Sequence, residues 1–288
     1  MKPVNKKPKI GLVIGSGGIK ALATVPLFNF LEEAQIDVDL IIGCSGGSLV
    51  GGYWASGHNA KYFREHTDEL WYRELFSKTD YRTLLSIAGL PFGRFSLNNG
   101  MIKKNKIINQ LKKLWGDLRV EDLPQRMFFQ TTDALSGDPV MLKKGLVWQA
   151  VYASSALFPM LPALEVDGRW LIDGAYSSPL PVMEAVQEGM DVIICMSFEE
   201  FTTDPSKGLV PYFMRTSDYM QRWLRRNQTA LSVDLHHHEI IFVNVVFDRY
   251  ISIRATRRIP QILEAGDRVV EEHKNEILSA IKTFSSKS

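Results

Sequence analysis

The chain has 288 residues, of which 45% are hydrophobic and 23% are charged, as in an ordinary globular protein. Its formal net charge is +2 with both signs interspersed, so composition gives no case for nucleic acid as a partner. Cys44 and Cys195 adjoin apolar runs and fit buried thiols of a reducing compartment rather than a disulfide. No apolar run approaches the ~18 residues of a membrane span, and no C-x-x-C or H-E-x-x-H spacing occurs. These features predict a cytoplasmic protein without a metal site.

The amino-terminal segment predicts a compact βαβ unit. Residues 9–14 are apolar and β-branched, which indicates a first core strand. A glycine-rich turn follows, then a helix over about 19–34 with apolar residues at helical spacing. Residues 40–42 predict a second buried strand. A right-handed crossover would make the two strands parallel.

The glycine-rich turn is not a nucleotide-binding loop. A dinucleotide fingerprint would need glycine at position 20, where the chain has Lys20, and an acidic residue at the far end of the second strand. Asp37 and Asp39 instead precede that strand. A P-loop is excluded as well, because no Gly-Lys-Ser/Thr closes the turn.

The second strand runs into Gly43-Cys44-Ser45-Gly46-Gly47, which fits the G-x-S-x-G nucleophile motif. A helix rich in small residues, predicted to run to Ala55, follows in the required context of a strand-to-helix turn. Such a turn exposes the Ser45 hydroxyl at the helix N-terminus, where partial positive charge favours a developing alkoxide. Ser45 is therefore a candidate nucleophile, the alternative being a plain glycine-rich packing turn.

The first glycine-rich turn has a candidate role beside this serine. Backbone amides that precede a helix can hold an oxyanion. Because carboxyl ends of adjacent parallel strands meet at one edge of a sheet, the Gly17 and Gly18 amides are expected to face the Ser45 hydroxyl. The alternative is a turn required only by close packing of helix on strand.

The remaining pattern predicts further alternating helices and strands. Residues 61–75 are helical and aromatic-rich, and the apolar segment 84–91 could wall an acyl pocket or simply add core. Residues 127–132 and 139–142 predict a hairpin. The other expected elements are helices over 99–115, 147–156, 182–188 and 259–284 and strands over 170–172, 192–196 and 240–246.

An activated serine needs a base, and two kinds are available. His58 and His66 follow Ser45 too closely for the usual triad order, whereas His236–His238 directly precedes a strand and stays an alternative. Asp173 ends a short apolar strand and is followed by Gly174, which permits a sharp turn. In a dry pocket a carboxylate becomes more basic and can take the serine proton. Taken alone, Asp-Gly also fits an ordinary turn.

Four segments taken in order resemble the patatin-like phospholipase family, especially its single-domain bacterial members. They are the glycine-rich turn at 15–20, the serine turn at 43–47, Ala-Ser-Ser-Ala-Leu-Phe-Pro at 153–159, and Asp173-Gly174-Ala175 followed by Pro-Leu-Pro-Val at 179–182. The resemblance covers roughly residues 8 to 200. The ordered set is far more specific than any single motif.

The resemblance implies a three-layer α/β/α fold with a mixed, mainly parallel central sheet. It implies one catalytic domain over 8–284, with the motifs in 8–200 and a C-terminal strand and helices in 200–284. The family works through a Ser–Asp dyad without histidine, which assigns Ser45 as nucleophile and Asp173 as base. It also assigns the two oxyanion-hole amides and supporting positions in the motifs: Gly17, Gly18, Gly15, Ser16, Lys20, Gly43, Gly47 and Gly174.

The implied activity is hydrolysis of lipid acyl esters, of phospholipase or lysophospholipase type, through an acyl-enzyme and without a cofactor. Two alternatives stay open: a Ser-His-Asp carboxylesterase, and a degenerate member that binds lipid or a protein partner. The second is motivated by a departure from Gly-Gly-Gly-x-Arg-Gly, where this chain has Lys20 and Ala21. Lysine keeps the positive charge but lacks the bidentate geometry of arginine.

Residues 209–230 mix aromatic side chains with arginines. Such a segment typically forms a helix with its apolar face toward the core and a basic outer edge. Peripheral contact with a membrane surface is the alternative.

Overall fold

A computed structural model describes residues 7–71, 79–87, 96–200, 209–236 and 239–287 of the chain. Its centre is a mixed sheet of eight strands in the order β5-β6-β3-β2-β1-β7-β8, with β4 paired to β3. The strands are β1 (Ile10–Ile14), β2 (Leu40–Cys44), β3 (Met127–Asp133), β4 (Pro139–Leu142), β5 (Leu164–Val166), β6 (Arg169–Asp173), β7 (Val192–Glu200) and β8 (Glu239–Phe247).

The strands from β3 to β8 in this order are parallel, and the strands at the edge beyond β3 are antiparallel. β1 pairs in parallel with β2 and β7, β2 with β3, and β7 with β8. β6 and β4 pair antiparallel with β3, and β5 pairs antiparallel with β6. Ile14 is in register with both Gly43 and Met196, so the carboxyl ends of three neighbouring strands lie side by side. The turns that follow them share one crevice.

Helices cover both faces of the sheet. They are α1 (Val25–Glu33), α2 (Gly46–Ala55), α3 (Ala60–Glu65), α4 (Thr67–Leu70), α5 (Tyr81–Ile87), α6 (Asn105–Trp115), α7 (Val147–Ser154), α8 (Val182–Gln187), α9 (Leu209–Leu235) and α10 (Ile259–Lys287). Helices α2, α7 and α10 pack on one face of the sheet. Helix α8 packs on the other face, and α9 packs against α8. Each face of the sheet has its own hydrophobic core. Successive residues of β1 point to opposite faces, so Leu12 lies in the larger core and Val13 in the smaller one. The predicted three-layer α/β/α fold is confirmed.

One expected helix is divided in the structure. The pattern predicted a continuous helix over 19–34, but Gly18–Thr24 is a 3₁₀ helix and only Val25–Glu33 is α-helical. Pro26 explains the change, because proline has no amide hydrogen and is accommodated in the first turn of an α-helix rather than its interior.

Other expected elements exist with shifted limits. The hairpin is confirmed, whereas the helix expected from 99 begins at Asn105 and the three-residue strand β5 was not predicted. The helix expected over 61–75 is interrupted at His66 within its described part, and residues 72–75 lie outside the described ranges. The apolar segment 84–91 is described only to Ile87, where it is helical.

The orientation expected for 209–230 was wrong. The segment belongs to α9, whose Trp223 is 64% exposed while Arg225 is only 9% exposed. Arg225 donates a 2.6 Å hydrogen bond to the Glu199 carboxylate at the end of β7, which compensates for burial of the guanidinium. The aromatic side chains of Tyr212, Tyr219 and Trp223 therefore lie outside, whereas Arg225 lies inward and Arg226 is exposed. Across the described ranges, no helix combines the length and apolar character that crossing a membrane requires.

Candidate active site

Ser45 lies at a tight turn between β2 and α2. Its backbone has φ of 55° and ψ of −121°, a conformation that residues with a Cβ rarely adopt. Helix α2 begins at the next residue, so Ser45 is its N-cap. This is the strained strand-to-helix geometry that a nucleophile motif requires.

Close backbone packing explains why glycines surround this serine. A Cβ at Gly47 would lie 2.3 Å from the Ile14 carbonyl oxygen of β1, far inside van der Waals contact. A Cβ at Gly46 would lie 2.2 Å from the Gly18 carbonyl oxygen and 2.7 Å from its amide nitrogen. The serine turn and the first glycine-rich turn are thus in direct backbone contact, which sequence reasoning did not assign to Gly46.

The side chains of Ser45 and Asp173 meet although 128 residues separate them along the chain. The Ser45 hydroxyl donates to Asp173 Oδ2 at 2.7 Å. The other carboxylate oxygen, Oδ1, accepts from the Ala175 amide at 2.9 Å. Gly174 turns the chain there, and a Cβ at Gly174 would lie 2.3 Å from the Gln130 carbonyl oxygen. Hydrogen bonds therefore hold both carboxylate oxygens of Asp173, and Oδ2 contacts the Ser45 hydroxyl.

The environment of Asp173 makes it more basic than an ordinary carboxylate. Its side chain is only 2% exposed. Burial raises the pKa of Asp173 from 3.8 to about 7, against the opposing hydrogen bonds from the Ala175 amide and the Ser45 hydroxyl. A carboxylate with this pKa can accept a serine proton near neutral pH.

The glycine-rich turn after β1 lines the same cavity as Ser45 and Asp173. The Gly15 amide donates to the Met196 carbonyl and the Ser16 amide to the Pro179 carbonyl, which fixes the start of the turn. The amides of Gly17 and Gly18 donate no hydrogen bond to another described residue. Gly18 has a φ of 55° and borders the serine turn. These two amides are available to a negatively charged oxygen beside Ser45.

Lys20 has a specific partner that sequence reasoning did not identify. Its ammonium lies 2.7 Å from Oε1 of Glu200 at the end of β7, and both side chains are largely buried. The same oxygen accepts from the Ile251 amide at 3.1 Å. The ion pair ties the glycine-rich turn to β7 and to the segment that follows β8.

Three further serines support the turn. The Ser45 amide donates to the Ser154 hydroxyl at 3.0 Å, and that hydroxyl also lies 2.6 Å from both the Gln130 carbonyl and the Ser48 hydroxyl. The Ser155 hydroxyl donates to the Ser45 carbonyl at 3.1 Å. Ser154 and Ser155 lie in the segment 153–159, one of the four that resemble the family. The resemblance marked this segment, but the sequence did not indicate what the two serines do.

The histidine alternative has no geometric support among the described residues. Strand β8 begins at Glu239, which pairs with Val192 at the amino end of β7, the sheet edge opposite Ser45. His237 and His238 lie outside the described ranges. No described histidine lines the cavity at Ser45, and no described group of three His, Cys, Asp or Glu side chains could hold a metal ion.

Ser45 and Asp173 open into a cavity of about 850 Å³. One part of its wall is apolar and comes from α2, α4, α6 and α7 and the residues after them, including Leu49, Leu70, Ile107, Leu111, Val151 and Met160. Another part is charged and comes from the end of β7, from α9 and from the residues after β8. Ser45 and Asp173 therefore adjoin both an apolar and a charged surface.

The chain is similar to several known proteins. An uncharacterized NTE family protein of Mycobacterium tuberculosis is 27% identical over 80% of this chain, which spans 59% of that protein. The protein named lysophospholipase NTE1 of Scheffersomyces stipitis is 33% identical over 65% of this chain, which spans only 11% of that protein. Among solved structures, VipD from Legionella pneumophila aligns over 98% of this chain and 67% of its own, with 12% identity and a TM-score of 0.47.

A family model gives the assignment. The model described as patatin-like phospholipase matches residues 12–186, which is more than half of the chain. Both Ser45 and Asp173 lie inside the matched range. The chain belongs to the patatin-like phospholipase family.

Proposed function

We propose that this chain hydrolyses lipid acyl esters, with Ser45 as nucleophile and Asp173 as its base. The observation that carries the proposal is the 2.7 Å hydrogen bond between the Ser45 hydroxyl and the Asp173 carboxylate, at the wall of a large, partly apolar cavity. The elevated pKa of Asp173 supports the role of base near neutral pH. We assign residues 8–284 to one catalytic domain, because β8 from the C-terminal part extends the same sheet.

Acylation would proceed in two steps, through a tetrahedral intermediate. Asp173 takes the Ser45 proton as the serine oxygen attacks the ester carbonyl. The Gly17 and Gly18 amides stabilise the oxyanion, whose negative charge develops beside the N-terminus of α2. The tetrahedral intermediate collapses, the alcohol leaves with the proton from Asp173, and the acyl group stays on Ser45.

Deacylation would use the same groups, with water as the nucleophile and the Ser45 oxygen as the leaving group. Asp173, again ionised, takes a proton from water as the water oxygen attacks the acyl carbonyl. The same two amides stabilise the second oxyanion. Ser45 leaves with the proton returned by Asp173, and the free fatty acid is released into the apolar part of the cavity.

The substrate class comes from the relatives and from the wall of the cavity. The fungal relatives carry the name lysophospholipase, and we extend that class to this chain. Apolar side chains of α2, α6 and α7 offer a surface that a single acyl chain could cover. Lipid degradation through an acyl-enzyme, without a cofactor, is therefore the activity proposed.

We further propose that α9 contacts the membrane surface that supplies the lipid. Tyr212, Met220 and Trp223 are exposed on this helix, and the Arg226 guanidinium lies 5.6 Å from the centre of the Trp223 ring. Aromatic side chains mixed with arginine are typical of helices that lie in the interface of anionic bilayers. Tyr219, between them, also lines the cavity. The exposed face of α9 thus borders the cavity that contains Ser45.

Hydrolysis of a substrate panel by matched variants tests the dyad. Wild-type protein is expected to release fatty acid from lysophospholipids and short p-nitrophenyl esters, and Ser45→Ala and Asp173→Asn to lose this activity by at least ~10³-fold. Asp167→Asn, which removes an exposed carboxylate in the β5–β6 turn, serves as control. Full activity of Asp173→Asn would refute the dyad.

Two further measurements separate the alternatives. The triple variant His236→Ala, His237→Ala, His238→Ala is expected to stay active, whereas a Ser-His-Asp enzyme that draws its histidine from this run would be inactivated. A fluorophosphonate probe is expected to label Ser45 in wild-type protein. No labelling of a folded wild-type protein would favour a non-catalytic family member.

A further inference from the structure

Helix α9 turns one polar face toward the candidate active site. Gln221, Arg225 and Gln228 are spaced by four and then three residues, so they lie along the same face of the helix. Arg225 pairs with the Glu199 carboxylate at the end of β7. The two glutamines contact the turn that follows β1 and the turn that follows β6. These turns contain the candidate oxyanion amides and the segment that follows Asp173.

Gln228 contacts the turn that orients Asp173. Its side-chain nitrogen Nε2 donates a 2.7 Å hydrogen bond to the Ser177 carbonyl. Ser177 closes the turn after Asp173, because its amide donates to the Gly174 carbonyl at 3.1 Å. The Ala175 amide, which donates to Asp173 Oδ1, lies inside this turn. Gln228 therefore fixes the end of the short turn that also holds the carboxylate.

Strand β3 also holds Ser177. The Thr132 hydroxyl lies 2.7 Å from the Ser177 hydroxyl and donates to the Asp173 carbonyl at 2.9 Å. The Gln130 side chain donates to the Ser177 hydroxyl at 3.3 Å. Ser177 is thus bound through its side chain by β3 and through its carbonyl by α9.

Gln221 contacts the glycine-rich turn. Its side-chain oxygen Oε1 accepts a 3.3 Å hydrogen bond from the Ser16 hydroxyl, and Ser16 is buried. The Ser16 carbonyl and the Gly17 amide belong to one planar peptide unit, so the position of Ser16 constrains the direction of that amide. The Ser16 amide donates to the Pro179 carbonyl at 2.8 Å, which joins the glycine-rich turn to the segment after Asp173.

We propose that Gln221 and Gln228 are positioning residues for acyl transfer at Ser45. Gln221 orients the turn whose amides are assigned to the oxyanion, and Gln228 orients the turn that holds Asp173. Neither glutamine bonds directly to Ser45 or Asp173, so each acts through the turn that it contacts. The inference rests on the proposed hydrolysis and adds two residues that lie outside the range matched by the family model.

Methionine substitutions remove each amide and keep a side chain of similar length. With a short p-nitrophenyl ester, Gln221→Met and Gln228→Met are each expected to lower kcat by about twofold to tenfold, with little change in KM. Asn227→Met is the control, because Asn227 is exposed on the same helix, and it is expected to keep the wild-type kcat. Wild-type kcat in either glutamine variant overturns the role of that residue. An equal loss in the control overturns both roles.

A double-mutant cycle tests the contact of Gln221. Ser16→Ala removes the hydroxyl that Gln221 accepts, so adding Gln221→Met to Ser16→Ala is expected to lower kcat little further. Losses that multiply in the double variant would show that Gln221 does not act through Ser16, and would overturn its positioning role.

A titration of Asp173 tests Gln228 without turnover. The hydrogen bond from the Ala175 amide lowers the pKa of Asp173, in opposition to burial. If Gln228 fixes this turn, Gln228→Met weakens that bond and raises the pKa. Carbon-13 NMR of the labelled carboxyl is expected to show a higher titration midpoint in Gln228→Met than in wild-type protein or Asn227→Met. An unchanged midpoint overturns the role of Gln228.

Amide spectra complete the separation of this inference from the proposed function. The amide signals of Gly17 and Gly18 are expected to move in Gln221→Met and to stay in place in Asn227→Met. A folded wild-type protein that hydrolyses no ester would refute the proposed function, whereas the two spectroscopic changes would still support the positioning of both turns. Hydrolysis by wild-type protein without either spectroscopic change leaves the function standing and overturns the inference.

Discussion

The backbone amide of Ser45 donates a 3.0 Å hydrogen bond to the Ser154 hydroxyl, across 109 residues of sequence. The same hydroxyl donates to the Gln130 carbonyl of β3 at 2.6 Å. A single side chain thus joins the serine turn to the strand next to it. Because Ser45 has a strained backbone, this link helps to hold its hydroxyl toward Asp173.

Ser154→Ala tests that link. The change leaves the Ser45 amide and the Gln130 carbonyl without this partner, and an unsatisfied buried polar group costs about 1–3 kcal/mol. We expect a lower unfolding temperature and a lower kcat with little change in KM, measured by calorimetry and by ester hydrolysis. Ser232→Ala is the control, because its buried hydroxyl donates to the Gln228 carbonyl of its own helix. Equal kcat in the two variants would contradict a positioning role for Ser154.

The pH dependence of hydrolysis reports the ionisation of Asp173. The base must be ionised to take the serine proton, and its pKa is raised to about 7 by burial. We expect kcat/KM for a neutral ester to rise with pH through an apparent pKa near 7 and to level off above it. A profile already flat from pH 5 upward would contradict the proposed base.

Asp173 also links stability to pH. Its pKa is about 7 in the folded protein against 3.8 for an ordinary carboxyl, so the native state holds the proton more tightly than the unfolded chain does. The contribution of Asp173 to the free energy of unfolding is therefore largest below pH ~4. This contribution is lost as pH rises toward ~7, and the loss is on the order of 4 kcal/mol.

Asp173→Asn removes that titration. We expect the variant to unfold at a higher temperature than wild-type protein at pH 8, and the difference to diminish as pH falls toward 4. Calorimetric scans at both pH values measure it. A difference independent of pH would show that ionisation of Asp173 is not its cause.

The buried pair of Lys20 and Glu200 predicts an asymmetry between single and double variants. Lys20→Met leaves a buried carboxylate without its ion-pair partner, which typically costs about 3–5 kcal/mol. We expect a lower unfolding temperature and a lower kcat, because the glycine-rich turn loses its tie to β7. Adding Glu200→Gln should recover much of the stability, and Lys20→Arg should keep it. Additive losses in the double variant would refute a coupled pair.

The exposed aromatic face of α9 predicts partition onto membranes. Tyr212→Ala/Trp223→Ala is expected to lower the fraction that sediments with anionic phospholipid vesicles by about tenfold or more, since each buried aromatic contributes ~1.5–3 kcal/mol. Leu135→Ala is the control, because Leu135 is 76% exposed in the β3–β4 turn on another part of the surface. Equal sedimentation of the two variants would exclude α9 as the contact.

The sequence predicted features with local causes. A strand, a glycine turn and a small-residue helix around Ser45 are specified within about twenty residues, so their pattern is visible in the chain. The division of the helix at Pro26 was also local and was missed, although proline at a first helical position is a recognised signal.

Features that depend on tertiary contacts could not be predicted. Lys20 is separated from Glu200 by 180 residues, so neither side chain indicates the other in the sequence. The arginines of α9 were expected at a solvent-exposed edge because charge is usually exposed, but Arg225 is buried. The Glu199 carboxylate at the end of β7 compensates for that burial, and its position follows from the sheet order.

The division of the cavity between two parts of the chain has a practical consequence. Ser45, Asp173 and the glycine-rich turn all lie within residues 12–186, whereas α9 and the residues after β8 lie beyond them. Protein engineering can therefore change the charged part of the cavity wall and keep the sheet that aligns Ser45 with Asp173. Substitutions confined to α9 would change the charged wall and leave Ser45 and Asp173 unaltered.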